Sequence, residues 1–125
     1  MRGRALTAGL VGTLMLASAG AHGVLGWPVL RAELAATTAP PDLVRGLALG
    51  WWFGSVAMAA FALIVLHGAW LGWRGQSSSA VPALVIGVAY VAFGAAAITL
   101  AGVSAPMMSF VVLGVVLVAL SAWRP

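Results

Sequence analysis

A chain of 125 residues with 63% hydrophobic and 6% charged side chains carries too few charges to cover a water-facing surface, since soluble domains are nearer half apolar and a quarter charged. The net charge of +4 comes from arginines scattered without a basic run, which excludes a nucleic-acid partner. The absence of cysteine excludes disulfides, thiolate metal sites and thiol nucleophiles.

The first apolar run extends from Ala5 to Gly26, behind Arg2 and Arg4. It closes on "AHGVLGWP", where Gly26-Trp27-Pro28 reads as a stop. A cleavable signal peptide is the rival reading of this segment, because Ala17-Ser18-Ala19 fits the small-x-small cleavage pattern. The apolar run continues through Leu25, longer than a usual signal core, and favours a retained span. Between Pro28 and Pro40, Leu30 and Leu34 lie four apart with Arg31 and Glu33 on other sides. That spacing predicts a short amphipathic helix on the outer surface, near His22.

"APPD", Ala39 to Asp42, breaks the chain before a second apolar run over about 43–71. "RGQSSSA", Arg74 to Ala80, is a polar loop; Ser79 can cap a third helix with Pro82 in its first turn. The third run covers about 80–102, and "AGVSAP", Ala101 to Pro106, turns it into a fourth over about 106–123. A helix needs about 20 apolar residues to cross the hydrocarbon layer. The expected fold is therefore all-α, an integral-membrane four-helix bundle of up-down topology, with residues 1–125 forming a single transmembrane domain.

Orientation follows the arginines. With the N-terminus inside, Arg2, Arg4, Arg74 and Arg124 all face the cytoplasm, while Arg31, Glu33, Asp42 and Arg45 cancel outside. The expected location is the bacterial inner (plasma) membrane, with both termini cytoplasmic and the lipid bilayer as the surrounding partner. Trp27 then lies at the outer boundary, Trp51 and Trp52 within the outer third of a long second helix, and Trp70, Trp73 and Trp123 at the inner boundary, as an aromatic belt at both faces.

His22 lies about 25 Å along the first helix at 1.5 Å per residue, near the outer surface. A hydrogen bond to Glu33 or Asp42 would make it a pH-sensitive latch. The plainer reading is a polar residue at the membrane edge. His22 with Glu33, Asp42, Arg45, Trp51 and Trp52 forms the candidate ligand or pH-sensitive site. His67 falls near the opposite face, so the two histidines cannot share a metal or a haem. In "GLALGWWFG", Gly46, Gly50 and Gly54 recur every four residues as overlapping G-x-x-x-G units, with Ser55 beside them able to bond across. Packing within the chain is preferred for this row over a seam between copies. Ala8 and Gly12, Ala83 and Gly87, and Ala92 and Ala96 repeat the spacing. No metal cluster, nucleophile with a base, or phosphate loop is visible, so neither an enzyme nor a cofactor is expected.

"HGVLG", His22 to Gly26, the Leu30 and Leu34 loop, a proline and then "WWFGS" together resemble a family of small uncharacterised bacterial membrane proteins with four predicted transmembrane helices. In that family the first span ends in His-x-x-Leu-Gly, and the second carries a Trp-His pair followed shortly by Ser. The resemblance covers roughly the first half of the chain. Trp52 departs from it, standing where the family often has histidine, which argues against a paired-histidine ligand site at His22. The resemblance implies an architecture and no mechanism. The expected function is a non-enzymatic interaction or structural component, self-associating or bound to another membrane protein. A binder of a cofactor or lipophilic ligand near the outer leaflet is the alternative, and a transporter subunit a third.

Overall fold

The computed structural model describes residues 2–122; Trp123 and Arg124, assigned above to the inner belt and inner charge, lie outside them. The order is α1 (Arg2–Ala21), a π-helical turn (His22–Gly26), α2 (Trp27–Ala35), α3 (Pro41–Trp73), α4 (Val81–Ala101) and α5 (Ala105–Ala122), with no strand among the described residues. The fold is an all-α four-helix bundle. Four helices are long and apolar enough to cross a membrane: Arg2–Ala35, Pro41–Trp73, Val81–Ala101 and Ala105–Ala122.

The second, third and fourth spans fall within two residues of the bounds expected from sequence. The first does not. Gly26-Trp27-Pro28 fails to stop the helix, and the chain continues into α2 as one rod. Proline has no N–H to give and its ring clashes with the carbonyl four residues back. Here the turn directly before it is widened to π geometry, a common way for a helix to absorb such a defect. The amphipathic segment is thus helical, but as a continuation of α1 rather than a separate surface helix.

The other ends are set locally. α3 stops in a Schellman turn: Gly75 adopts φ +73°, its N–H donates to Gly72 O at 3.2 Å, and the Gln76 N–H donates to Leu71 O at 2.9 Å. Ser79 Oγ accepts the Val81 N–H at 3.2 Å where α4 begins. Gly102, at φ +85°, ends α4.

The helices associate as two antiparallel pairs, α1 with α3 and α4 with α5, and contact between the pairs is thinner. Antiparallel register shows in the glycines. On the α1–α3 seam Gly12 faces Leu66, while Gly72 faces Ala5. On the α4–α5 seam a Cβ at Gly114 would stand 2.6 Å from Gly87 O and 2.8 Å from Val91 N, and one at Gly94 would stand 3.0 Å from Val111 N. Backbones approach this closely only without side chains between them, which is the main source of helix association in lipid.

One core joins the pairs: Val11, Met15, Ala62, Val65, Ile86, Tyr90 and Leu117, with Met15 and Leu117 fully enclosed. Val11 and Met15 precede Ala19, so removal of a leader there would strip them from the core. Leu10, Phe53 and Leu100 instead face outward, 62%, 76% and 87% exposed, which suits hydrocarbon and not water.

The pairs differ in length. At 1.5 Å per residue the Arg2–Ala35 rod and α3 are each about 50 Å long, whereas α4 and α5 are about 30 Å. The shared core sets Val65, eight residues before the end of α3, in one cluster with Ile86, five residues into α4. The excess therefore lies at the other end, where α2 and the start of α3 project past the α4–α5 turn.

Candidate functional site

Near the height at which α4 ends, the α1–α3 seam changes from apolar to polar contact. The π turn carries His22 against α3. Its Nδ1 lies 2.8 Å from Ser55 Oγ, and Ser55 Oγ donates to Trp51 O at 3.0 Å. A serine hydroxyl has a single proton. With that proton on Trp51 O, His22 Nδ1–H is the donor to Ser55, and Nε2 keeps its lone pair as an acceptor.

Trp51 closes the circuit from α3. Its Nε1–H donates to His22 O at 2.8 Å, and its ring stacks on the imidazole with centroids 4.1 Å apart and planes 8° from parallel. Trp27, at the start of α2, lies beside Trp51 at 6.3 Å and 48°. Ser55 is buried and His22 half-buried.

Glycines make room for this cluster. A Cβ at Gly26 would stand 2.6 Å from Trp51 Cζ2, and one at Gly23 would meet Ser55 Oγ at 3.2 Å and Trp52 Cζ3 at 3.3 Å. Across the seam a Cβ at Gly54 would lie 3.9 Å from His22 Cε1. The "HGVLG" run is therefore a histidine flanked by the bare backbone that lets α3 come up to it.

Of the residues expected at the site, His22 and Trp51 meet directly and Trp52 borders them. Glu33 does not, being exposed on α2. Asp42 and Arg45 pair with each other at 3.3 Å, their side chains 94% and 79% exposed. The expected carboxylate partner for His22 is thus replaced by the Ser55 hydroxyl, and a latch built on an anion beside the imidazole has no anion. The expected glycine seam is corrected in the same way. Only Gly54 packs within the chain; a Cβ at Gly46 or Gly50 would meet nothing within 4 Å. Close approach is made instead by Gly12, Gly23, Gly26, Gly87, Gly94 and Gly114.

Sequence reasoning saw Ser55 as able to bond across but did not give it His22. The signal lay in Gly23 and Gly26 beside His22, which mark a close approach of another helix, though their spacing does not say which residue of α3 arrives there.

His67 is exposed beside Trp70, ring centroids 5.7 Å apart. It lies about 18 Å from Ser55 along α3 at 1.5 Å per residue, so the two histidines are separate, as expected. Among the described residues no three His, Cys, Asp or Glu side chains come together to hold a metal. Thr13, Thr99 and Ser109 donate to their own helix backbones, at Gly9 O, Ala95 O and Pro106 O. The Tyr90 hydroxyl, deep in the shared core, is buried with no hydrogen-bond partner.

No family model, no curated protein and no solved structure matches the chain.

Proposed function

We propose that the protein is a multi-pass component of the bacterial inner membrane, both termini cytoplasmic, that works by association rather than catalysis, with the α3 face bearing Gly46 and Gly50 seated against a second copy. The carrying observation is that these two glycines meet nothing in their own chain, although they have the spacing of a close helix approach. Their position supports protein rather than lipid as the cover. Gly50 lies about level with the end of α4 and Gly46 on the part of α3 that projects past it, at the edge of an approximately 30 Å hydrocarbon layer set by the shorter pair. Leu43 and Leu49, 53% and 74% exposed, extend the same uncovered segment.

The test uses the cysteine-free background. Gly50→Cys and Gly46→Cys should each give a disulfide-linked dimer on mild oxidation in native membranes, and Phe93→Cys on the outer side of α4 should not. Equal yields at all three positions, or none at Gly46 and Gly50, overturn the reading. The accompanying variant is Gly50→Leu, which should reduce the dimer to monomer while leaving α1–α3 packing intact.

A second reading rests on a different observation, the half-buried His22 imidazole held at Nδ1 by Ser55 and stacked on Trp51. It would serve a cofactor or lipophilic ligand at the outer leaflet. His22→Ala should then remove a co-purifying mass or absorbance band that Gly50→Leu leaves in place.

A further inference from the structure

We propose that the opposite end of the α1–α3 seam binds an anionic phospholipid, one acyl chain lying in the groove between the helices and the headgroup phosphate meeting Arg74. The proposal rests on the membrane reading above and is independent of self-association.

The groove has a volume of about 470 Å³, and Leu6, Leu10, Leu66, Trp70 and Trp73 form most of its walls. Its hydroxyl, that of Thr13, is turned back on Gly9 O at 2.9 Å, which leaves the walls mostly apolar, with the indole N–H groups of Trp70 and Trp73 as their polar atoms. From Ala5 to Thr13 it extends about 12 Å along α1, close to the roughly 15 Å half-thickness of the hydrocarbon layer. That is the reach of an acyl chain from headgroup to midplane.

The mouth is positively charged. Antiparallel pairing, with Ala5 against Gly72, brings the start of α1 and the end of α3 together, and with them Arg2 and Arg74. The Schellman turn fixes the chain at Arg74, and its guanidinium lies 4.8 Å from the centre of the Trp70 ring. Trp70 thus walls the groove and holds the cation at its rim. The two acidic residues of the chain, Glu33 and Asp42, sit at the other end of the seam. An arginine resting on an aromatic face presents its N–H edge for bidentate contact with phosphate.

The same seam contains its own control. A second groove of about 270 Å³ lies further along, between Leu16, Gly20, Val24, Trp52 and Val56. The arginines at that end, Arg31 and Arg45, are offset by Glu33 and Asp42. It has the apolar walls without the net charge.

The experiment reconstitutes the full chain in vesicles of equal phosphatidylcholine and phosphatidylglycerol, extracts it in mild detergent, and counts retained lipids by native mass spectrometry. Wild type should retain phosphatidylglycerol over phosphatidylcholine by about fivefold or more, roughly the effect of one arginine near a membrane surface. Arg74→Gln should bring that ratio close to one, and Arg31→Gln should leave it unchanged. Leu10→Trp, which fills the groove without touching charge, should lower phosphatidylglycerol retention. Equal retention of both lipids by wild type overturns the proposal, as does a preference that survives both Arg74→Gln and Leu10→Trp. Flotation of the same vesicles separates the two readings: a chain that does not float with them overturns the membrane reading itself, whereas one that floats without lipid preference overturns this proposal alone.

Discussion

Between α4 and α5 the closest approach is backbone on backbone, Gly114 against Gly87, with no side-chain hydrogen bond crossing the seam among the described residues. Between α1 and α3 one half is built similarly, Gly12 under Leu66, but the other half is closed by His22, Ser55 and Trp51. Close glycine contacts together with Tyr90 and Phe93 against Phe110 join α4 to α5 without a side-chain hydrogen bond among the described residues. The polar cluster on the first seam is therefore additional to pairing. Among the described residues it coincides with the one helical irregularity, the π turn, and it lies about 8 Å short of the level at which α4 ends.

The comparison can be broken most severely on the second seam. Gly114→Leu drives a side chain into the Gly87 carbonyl and should destabilise the bundle by about 3 kcal/mol or more, read as a shift in detergent-induced unfolding. Full stability in this variant would mean that the backbone contact does not hold α4 to α5. On the first seam Gly26→Ala should push Trp51 off His22, with a loss of about 1–3 kcal/mol and altered tryptophan fluorescence. Gly50→Ala in the isolated chain should instead be neutral or gain up to about 1 kcal/mol, because helical glycine is entropically unfavourable.

Smaller effects sharpen the contrast between satisfied and orphaned polar groups. Tyr90→Phe removes a buried hydroxyl that has no partner and should raise stability by about 1 kcal/mol. Ser55→Ala removes a bonded one and should lower stability by about 0.6 kcal/mol, the usual size of an interhelical hydrogen bond in a membrane protein. Combined with His22→Ala in a double-mutant cycle, Ser55→Ala should show coupling. Strictly additive losses would indicate that the 2.8 Å contact contributes nothing of its own.

The spans were legible because twenty-odd apolar residues between polar turns have few other structures open to them, and the ends at Ser79, Pro82 and Gly102 carry their chemistry on the surface of the sequence. The placement of His22 at a helix end was not, because α1 runs on into α2 and leaves the residue about 20 Å short of the end of the rod. Nor was its partner. Pairing of His22 with Ser55 depends on the register of α1 against α3, which is fixed by packing at Gly12 and Gly72 far from either residue. The glycine row misled because spacing tells which residues share a face, not whether a neighbour from the same chain occupies it. Gly54 has one, Gly50 and Gly46 have none. Charge misled at Glu33 and Asp42, where proximity along the chain suggested a partner for His22 that helical geometry keeps outside.

The thin contact between the pairs has a consequence for how the chain is made. Everything that α1 needs for its seam is present once Trp73 has been synthesised, and α4 and α5 need only each other and a short turn. The first pair can be complete in the membrane while the second is still in the ribosome, and the Val11, Met15, Ala62, Val65, Ile86, Tyr90 and Leu117 cluster waits for both. The expected order of assembly is two successive hairpins that dock. The serine-rich stretch from Gln76 to Ser79 is the natural place to divide the gene, with two separately expressed halves expected to find one another across that interface.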